Sequence, residues 1–468
     1  MKTQPLLLSI LTLFSTAYAQ AAAMDQSGQS ILAFLEDKNY FEASISAVDP
    51  DVSGKVRNRP DLVNAGSNDL STGDMARSFQ YYNAALKLQI APKVSFGVIY
   101  DQPYGADIEY PLRTNNTFSD NEITMKGTSA DVDTQNITML FGFQPNTHFN
   151  LYGGGVYQTV KGSVSLRGNS MSVFNGYDAK FKQDSAVGWM AGAAFQIPEI
   201  ALKAAVTYRS KIKHKIDAQE TIFGEALAFT GDQPTEINTP QSVNVDLQTG
   251  VYKDTIAYLN ARWVNWKDFK IRPTQFGALT ELATTELSQG LYSGGFNLDD
   301  YQKDQYNLTL GLGHQFTEKW AASADVSWDS GTGNPASVLN PTKGGWGLGI
   351  GVQYNPTADY FIAGGVKYQW IGDATAQDGT YYIPVPGASE IAQQAMIALT
   401  TALTACGGLP KECEESWKHM EDLAKQSGIP EDSLKEQKKA FEEEIKKMPK
   451  EDAIKACKAQ SSIFGMVK

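Results

Sequence analysis

No stretch of this chain approaches the ~18 consecutive apolar residues that a membrane-spanning helix needs, which sets aside a helical inner-membrane protein. Cysteine is scarce: Cys406, Cys413 and Cys457 are the only three in 468 residues, all near the C-terminus. That argues against a disulfide-stapled secreted fold. Positive charge is in deficit, with 40 Lys and Arg against 52 Asp and Glu and a net charge of -12. No basic patch for nucleic acid is expected. The four histidines, His148, His214, His314 and His419, are scattered. No metal-ligand spacing appears among them, and no Ser-His-acid arrangement suggests a hydrolase. The expectation is therefore no enzyme, no metal and no cofactor.

What is abundant is alternation. Over residues 344–371, Trp346, Leu348, Ile350, Val352 and Tyr354 share one face and Gly345, Gly347, Gly349 and Gly351 the other. After a turn at 355–358, Tyr360, Ile362, Val366, Tyr368 and Trp370 oppose Ala363, Gly365, Lys367 and Gln369. Period two is that of a strand. Aromatic residues at both ends of an aliphatic row suit a face that meets lipid, with rings at the two interfaces.

Similar runs recur near 40–52, 79–90, 94–110, 134–144, 149–161, 186–197, 201–213, 242–252, 255–266, 305–316, 319–328, 345–354 and 359–371. Short turns (91–93, 145–148, 198–199, 253–254, 317–318, 355–357) alternate with long connections throughout. Short periplasmic turns and long outer loops are the signature of outer-membrane barrels. In hydrocarbon every backbone N–H and C=O must be bonded within the sheet, and only closure leaves no edge. The expected fold is all-β, a transmembrane antiparallel β-barrel over residues 40–371. Closure requires an even strand number in a bacterial barrel. Thirteen runs are counted, so one is expected to be missing.

The ends carry different signals. Lys2, an apolar run over 6–14 and small residues at Ala17 and Ala19 fit a secretory signal peptide over residues 1–19. A short segment, 20–39, follows, apolar at Ile31, Leu32, Phe34 and Leu35. From Ala388 the period becomes helical, and Lys/Glu-rich stretches read as a helical extracellular insertion over 372–460. Residues 461–468 would begin a closing strand, and the reading favoured is that this strand is cut short in the sequence as written.

Two sets of inward residues invite a functional reading. The third strand carries Asp101-Gln102-Pro103-Tyr104-Gly105-Ala106 in its middle. Proline removes a ladder donor and glycine weakens pairing, so the wall is expected to break there. Elsewhere Lys203, Arg209, Tyr258, Arg262, Trp266 and Lys367 supply lumenal cations and aromatic rings. They could hold a carboxylate head group, or simply pair with lumenal acids.

Five motifs together carry a resemblance: MDQSGQS near the mature start, YFEASISAVDPDVSG, DQPYGADIEY, RWVNWKDF and DQYNLTLGLGHQF. Over about 24–371 the chain resembles the FadL family of outer-membrane transporters of long-chain fatty acids and related hydrophobic compounds. The resemblance implies a fourteen-stranded barrel closed by an N-terminal hatch, an apolar pocket beside the hatch, and sideways release of ligand through a kink in the third strand. By motif, Pro103, Tyr104 and Gly105 would line that opening, and Ile31, Phe34 and Leu35 would belong to the hatch. No Asn-Pro-Ala hatch element lies between Met24 and Tyr40, and the family's aromatic-ended final strand is not found in the sequence as written. The implied protein is a monomer in the bacterial outer membrane, surrounded by outer-membrane lipids, that passes hydrophobic small molecules passively. The alternatives are a water-filled porin for small polar solutes and a surface adhesin.

Overall fold

A computed structural model describes residues 23–56, 71–112, 118–120, 123–231, 233–287, 294–333, 335–357 and 359–377. The signal peptide, the three cysteines, residues 461–468 and all but the first six residues of the 372–460 insertion lie outside them.

The thirteen runs form thirteen wall strands, each hydrogen-bonded antiparallel to the next in chain order. They are β1 (Tyr40–Val48), β2 (Phe79–Ala91), β3 (Val94–Asp101, resuming as Gly105–Glu109), β4 (Ser129–Phe143), β5 (Phe149–Ser165), β6 (Tyr177–Ile197) and β7 (Leu202–Arg209). The rest are β8 (Ser242–Tyr252), β9 (Thr255–Val264), β10 (Gln305–Gln315), β11 (Trp320–Asp329), β12 (Lys343–Tyr354) and β13 (Ile362–Gly372). Neither β1 nor β13 has a second neighbour among the described residues. An open slot of ≈1570 Å³ separates them.

Alternation sorts the side chains as hydrocarbon requires. On β4, Ile137, Met139, Phe141 and Phe143 are exposed on the outside while Asn136, Thr138 and Leu140 are buried inside. On β12, Trp346, Leu348, Ile350 and Val352 stand outward, with Ile350 68% exposed. A soluble sheet would bury such rows, whereas here they form the lipid-facing band. The inside is filled by side chains, in one buried cluster that includes Met24, Tyr104, Trp266, Phe276 and Phe296 and another around Phe34 and Leu140.

Two elements differ from the expectation of bare strands and long loops. β6 begins at Tyr177, nine residues before the expected 186. A register shift between Val160 and Gly162 sets both Lys182 and Gln183 against β5 without a partner, so the in–out alternation changes phase and a single period-two run stops short of it. The connection after β9 contains a helix, α1 (Thr274–Leu287), which lies in the outer half of the molecule. Glu220 caps it: the backbone N–H groups of Gln275 and Phe276 donate to its two carboxylate oxygens at 2.9 and 2.6 Å. A carboxylate there satisfies orphan donors and opposes the helix dipole. Phe276 then packs, tilted, against Phe174 and Tyr177 with ring centroids 5.0 and 5.1 Å away, so that aromatic rings fill the space beneath the helix.

If the outward row faces lipid, Ile350→Arg should lower the unfolding free energy of bilayer-embedded protein by about 2–4 kcal/mol, the usual cost of a cation at mid-membrane. Reversible denaturant unfolding in liposomes measures this.

Candidate functional site

The ladder between β2 and β3 runs up to the pair Ala84 and Tyr100 and stops. It resumes in the same register where Ala76 meets Ile108 and the Arg77 N–H donates to the Asp107 carbonyl at 3.1 Å. Between these points residues 78–83 have no ladder partner in 101–106. Six residues at ~3.3 Å each make a window about 20 Å long. Pro103 sits in the displaced stretch, where its missing N–H costs the wall nothing.

Several of the backbone groups freed by this displacement are satisfied, from three directions. The Tyr82 N–H donates to the Gln102 side-chain oxygen at 2.8 Å. Thr134 on β4 serves Tyr104 twice, accepting from its N–H at 2.8 Å and donating to its carbonyl at 2.6 Å. From inside the barrel, the N-terminal segment lays a short antiparallel bridge on the break: the Gln26 N–H donates to the Pro103 carbonyl at 2.8 Å, and the Gly105 N–H to the Met24 carbonyl at 2.9 Å. Buried donors and acceptors are rarely left unmade, and here the interior segment makes them.

That segment is held at both ends and in the middle. Arg262 on β9 donates from Nε to Asp25 at 2.7 Å, from Nη2 to Gln29 at 3.0 Å and from Nη1 to Asn244 at 2.7 Å. The arginine and aspartate side chains are 1% and 0% exposed. Ser27 donates to Asp101 beside the break at 2.9 Å. At the far end, the short helical turn Leu32–Leu35 presents its last carbonyls to two lysines. Lys203 donates to the Leu35 carbonyl at 3.0 Å and to the Glu36 carboxylate at 3.2 Å, and Lys87 donates to the Glu36 carbonyl. In the middle Ile31, Phe34 and Leu35 are buried. Phe34 seats edge-on to Tyr152, with ring centroids 5.9 Å apart, in a hollow left by two glycines. A Cβ on Gly97 would come within 2.5 Å of the Phe34 ring, and one on Gly142 within 3.0 Å.

Immediately inside the window lies a small apolar cavity of ≈30 Å³, lined chiefly by Met24, Tyr104, Val160, Phe181, Trp266 and Ile271. Tyr104 packs edge-on against Trp266 with centroids 5.3 Å apart. So little space holds about one water, and any larger ligand must displace Met24, Tyr104 or Trp266.

The inward residues singled out in the sequence divide accordingly. Pro103, Tyr104 and Gly105 meet the N-terminal segment at the window. Trp266, in the turn following β9, lines the apolar cavity. Arg262 and Lys203 are paired with Asp25 and Glu36. Tyr258 and Lys367 lie apart from the cavity, around Asp325; the Tyr258 hydroxyl is 3.5 Å from its carboxylate. Arg209 is buried, and its Nη1 has no hydrogen-bond partner among the described residues. Asp25, Thr134 and Glu220 were not anticipated. Each acts on a residue far away in the chain, and no local pattern marks them. No cluster of metal-binding side chains occurs among the described residues.

Outside the membrane span, Asp299 is buried in the cap between the connections after β9 and β11. Burial pushes its carboxyl up to about 7, against a hydrogen bond with Ser337, and Asp300 adds to the rise.

Strands with an apolar outer row, a wall break and an interior segment bonded across it define an outer-membrane transport barrel. The match to known proteins narrows this. A family model described as "Outer membrane protein transport protein (OMPP1/FadL/TodX)" matches residues 9–402, and the chain belongs to that family. It is an outer-membrane transporter of hydrophobic compounds and not an enzyme. A FadL homologue from Pseudomonas aeruginosa shares the fold, with a TM-score of 0.51 at 15% identity over 77% of this chain and 90% of that one. The toluene transporter TbuX of Ralstonia pickettii aligns with a TM-score of 0.48 at 10% identity, covering 76% and 92%. The toluene transporter TodX of Pseudomonas putida gives 0.46 at 11%, covering 76% and 93%. No curated protein matched the chain in sequence.

Two outcomes follow. Removing one partner of a buried ion pair typically costs about 3–5 kcal/mol, so Arg262→Ala should loosen the N-terminal segment. It should appear as raised or flickering ion conductance in planar bilayers, with the barrel still folded. For Asp299, the raised carboxyl value favours the protonated form in the folded cap. Stability conferred at low pH is therefore lost as pH rises from the unfolded value of about 4 through about 7. Hydrogen–deuterium exchange protection factors over 294–301, corrected for the intrinsic pH dependence of exchange, should fall between pH 5 and 8 in the native protein and change much less in Asp299→Asn.

Proposed function

We propose that this protein moves long-chain fatty acids or similar hydrophobic molecules passively through the outer membrane and releases them sideways through the β2–β3 window. The observation that carries the reading is the shared position of Tyr104, which lines both the broken wall and the apolar cavity. A hydrophobic molecule that displaces this side chain leaves one apolar environment for another, the lipid outside, so partitioning alone drives the step. Residues 23–39 act as the hatch, with Phe34 as its stopper and the Arg262–Asp25 and Lys203–Glu36 pairs as its fastenings. Arg209, buried and with its Nη1 unpartnered among the described residues, is the cation that would meet a carboxylate head group. With the lumen filled at both hatch and outer mouth, a steady water-filled pore is the weaker reading.

Uptake decides the matter. Deleting the protein in a strain with no paralogue should reduce uptake of labelled oleate, and loss of toluene uptake alone would move the cargo to uncharged aromatics. Pro103→Val with Gly105→Val should restore strand pairing and slow uptake several-fold without lowering the folded yield. Unchanged uptake in that variant would remove lateral release.

A further inference from the structure

The chain is acidic overall, yet one part of its outer rim is not. Lys161 on β5, Lys180 and Lys182 on β6, and Lys211, Lys213 and Lys215 along the strand Ile212–Ile216 that continues β7 are all exposed. They stand on three neighbouring strands: the Ser210 N–H donates to the Trp189 carbonyl at 2.9 Å and the Lys182 N–H to the Asp217 carbonyl at 3.0 Å.

Three features make this a surface for anionic lipid. The first is height. Lys161 lies four residues beyond the outward Tyr157, and Lys211 three beyond Tyr208, whose ring packs on Trp189 at 5.2 Å. At ~3.3 Å per residue along strands tilted about 40°, these positions begin about 8–10 Å above the aromatic rings, in the head-group layer of the outer leaflet. The second is the β5–β6 bulge. Below it Ser185, Val187 and Trp189 face outward; above it the phase changes and Lys180 and Lys182 do, beside Lys161. The third is spare charge. Lys161 pairs with Asp133 at 3.0 Å and lies near Asp131, Lys182 pairs with Asp217 at 3.6 Å and Lys213 with Glu236, while Lys180, Lys211 and Lys215 make no ion contact within 4 Å among the described residues, Lys215 standing opposite Glu236 in the strand pairing. The backbone beneath is fixed, because the inward His214 is buried between Asp184 at 2.9 Å and Gln158 at 3.0 Å.

We propose that this face binds the phosphate groups of the outer-leaflet lipid packed against β5, β6 and β7. The apolar rows below take the acyl chains and the three unpaired lysines take the phosphates, so that the barrel holds one lipid class on this side.

The test is a titration of the purified full-length protein in nanodiscs with bisphosphorylated lipid A, followed by native mass spectrometry. Dephosphorylated lipid A and inorganic phosphate serve as competing probes. Lipid A should bind saturably and weaken as ionic strength rises. K180Q/K211Q/K215Q should lose affinity by about a hundredfold, on the order expected for three lysines at an anionic surface. A control, K93Q/K253Q/K319Q on the short turns at the other end, should bind as the native protein does. Folding of each variant is read from its heat-modifiable gel mobility. Should the triple variant not fold, the salt dependence and the dephosphorylated lipid decide alone. Equal binding of the dephosphorylated lipid, equal competition by inorganic phosphate, salt-independent binding, or full affinity in the folded triple variant would each overturn the proposal.

Discussion

The structure turns on the backbone hydrogen bonds of one displaced stretch. A wall strand in hydrocarbon cannot leave its N–H and C=O groups unmade, and 101–106 does leave the ladder. The displaced stretch is held in place because a threonine hydroxyl, a glutamine side chain and the backbone of the N-terminal segment take over part of the missing neighbour's bonding. Widening the window therefore breaks bonds to the interior segment, and moving that segment strips bonds from the window. Wall and plug are one hydrogen-bonded unit.

The fastenings of the segment follow from the same constraint. Buried ion pairs add little net stability against an apolar alternative, yet they are demanding in geometry. Arg262 reaches Asp25, Gln29 and Asn244 at once, which defines where the segment lies more narrowly than apolar contact would. Phe34 adds the shape term, filling the hollow that Gly97 and Gly142 leave. The outer mouth uses a parallel device, a carboxylate at the start of α1 that orients Phe276 into an aromatic block.

Legibility in the sequence depended on whether a feature obeys a local period. β10 and β12 are plain because their faces alternate without interruption. The first nine residues of β6 escape a period-two reading because a bulge shifts the phase among Lys, Gln and Asp residues. The helix α1 was missed because Thr280, Thr284 and Thr285 bond back to their own helix while Phe276 and Leu279 face the outer plug. That composition resembles a loop more than an amphipathic stripe.

By itself the sequence determined the strands, their lipid-facing rows, the asymmetry of the turns and the break at Pro103, because backbone sterics and hydrophobic burial act between residues close in the chain. Tertiary structure alone decided which charges are spent and which are spare. Arg262 and Asp25 are 237 positions apart and Lys203 and Glu36 are 167, and no period connects them. Only the curling of the strands around the N-terminal segment brings such groups within reach. That same curling leaves Arg209 Nη1 without a partner among the described residues and brings three lysines onto the outer rim.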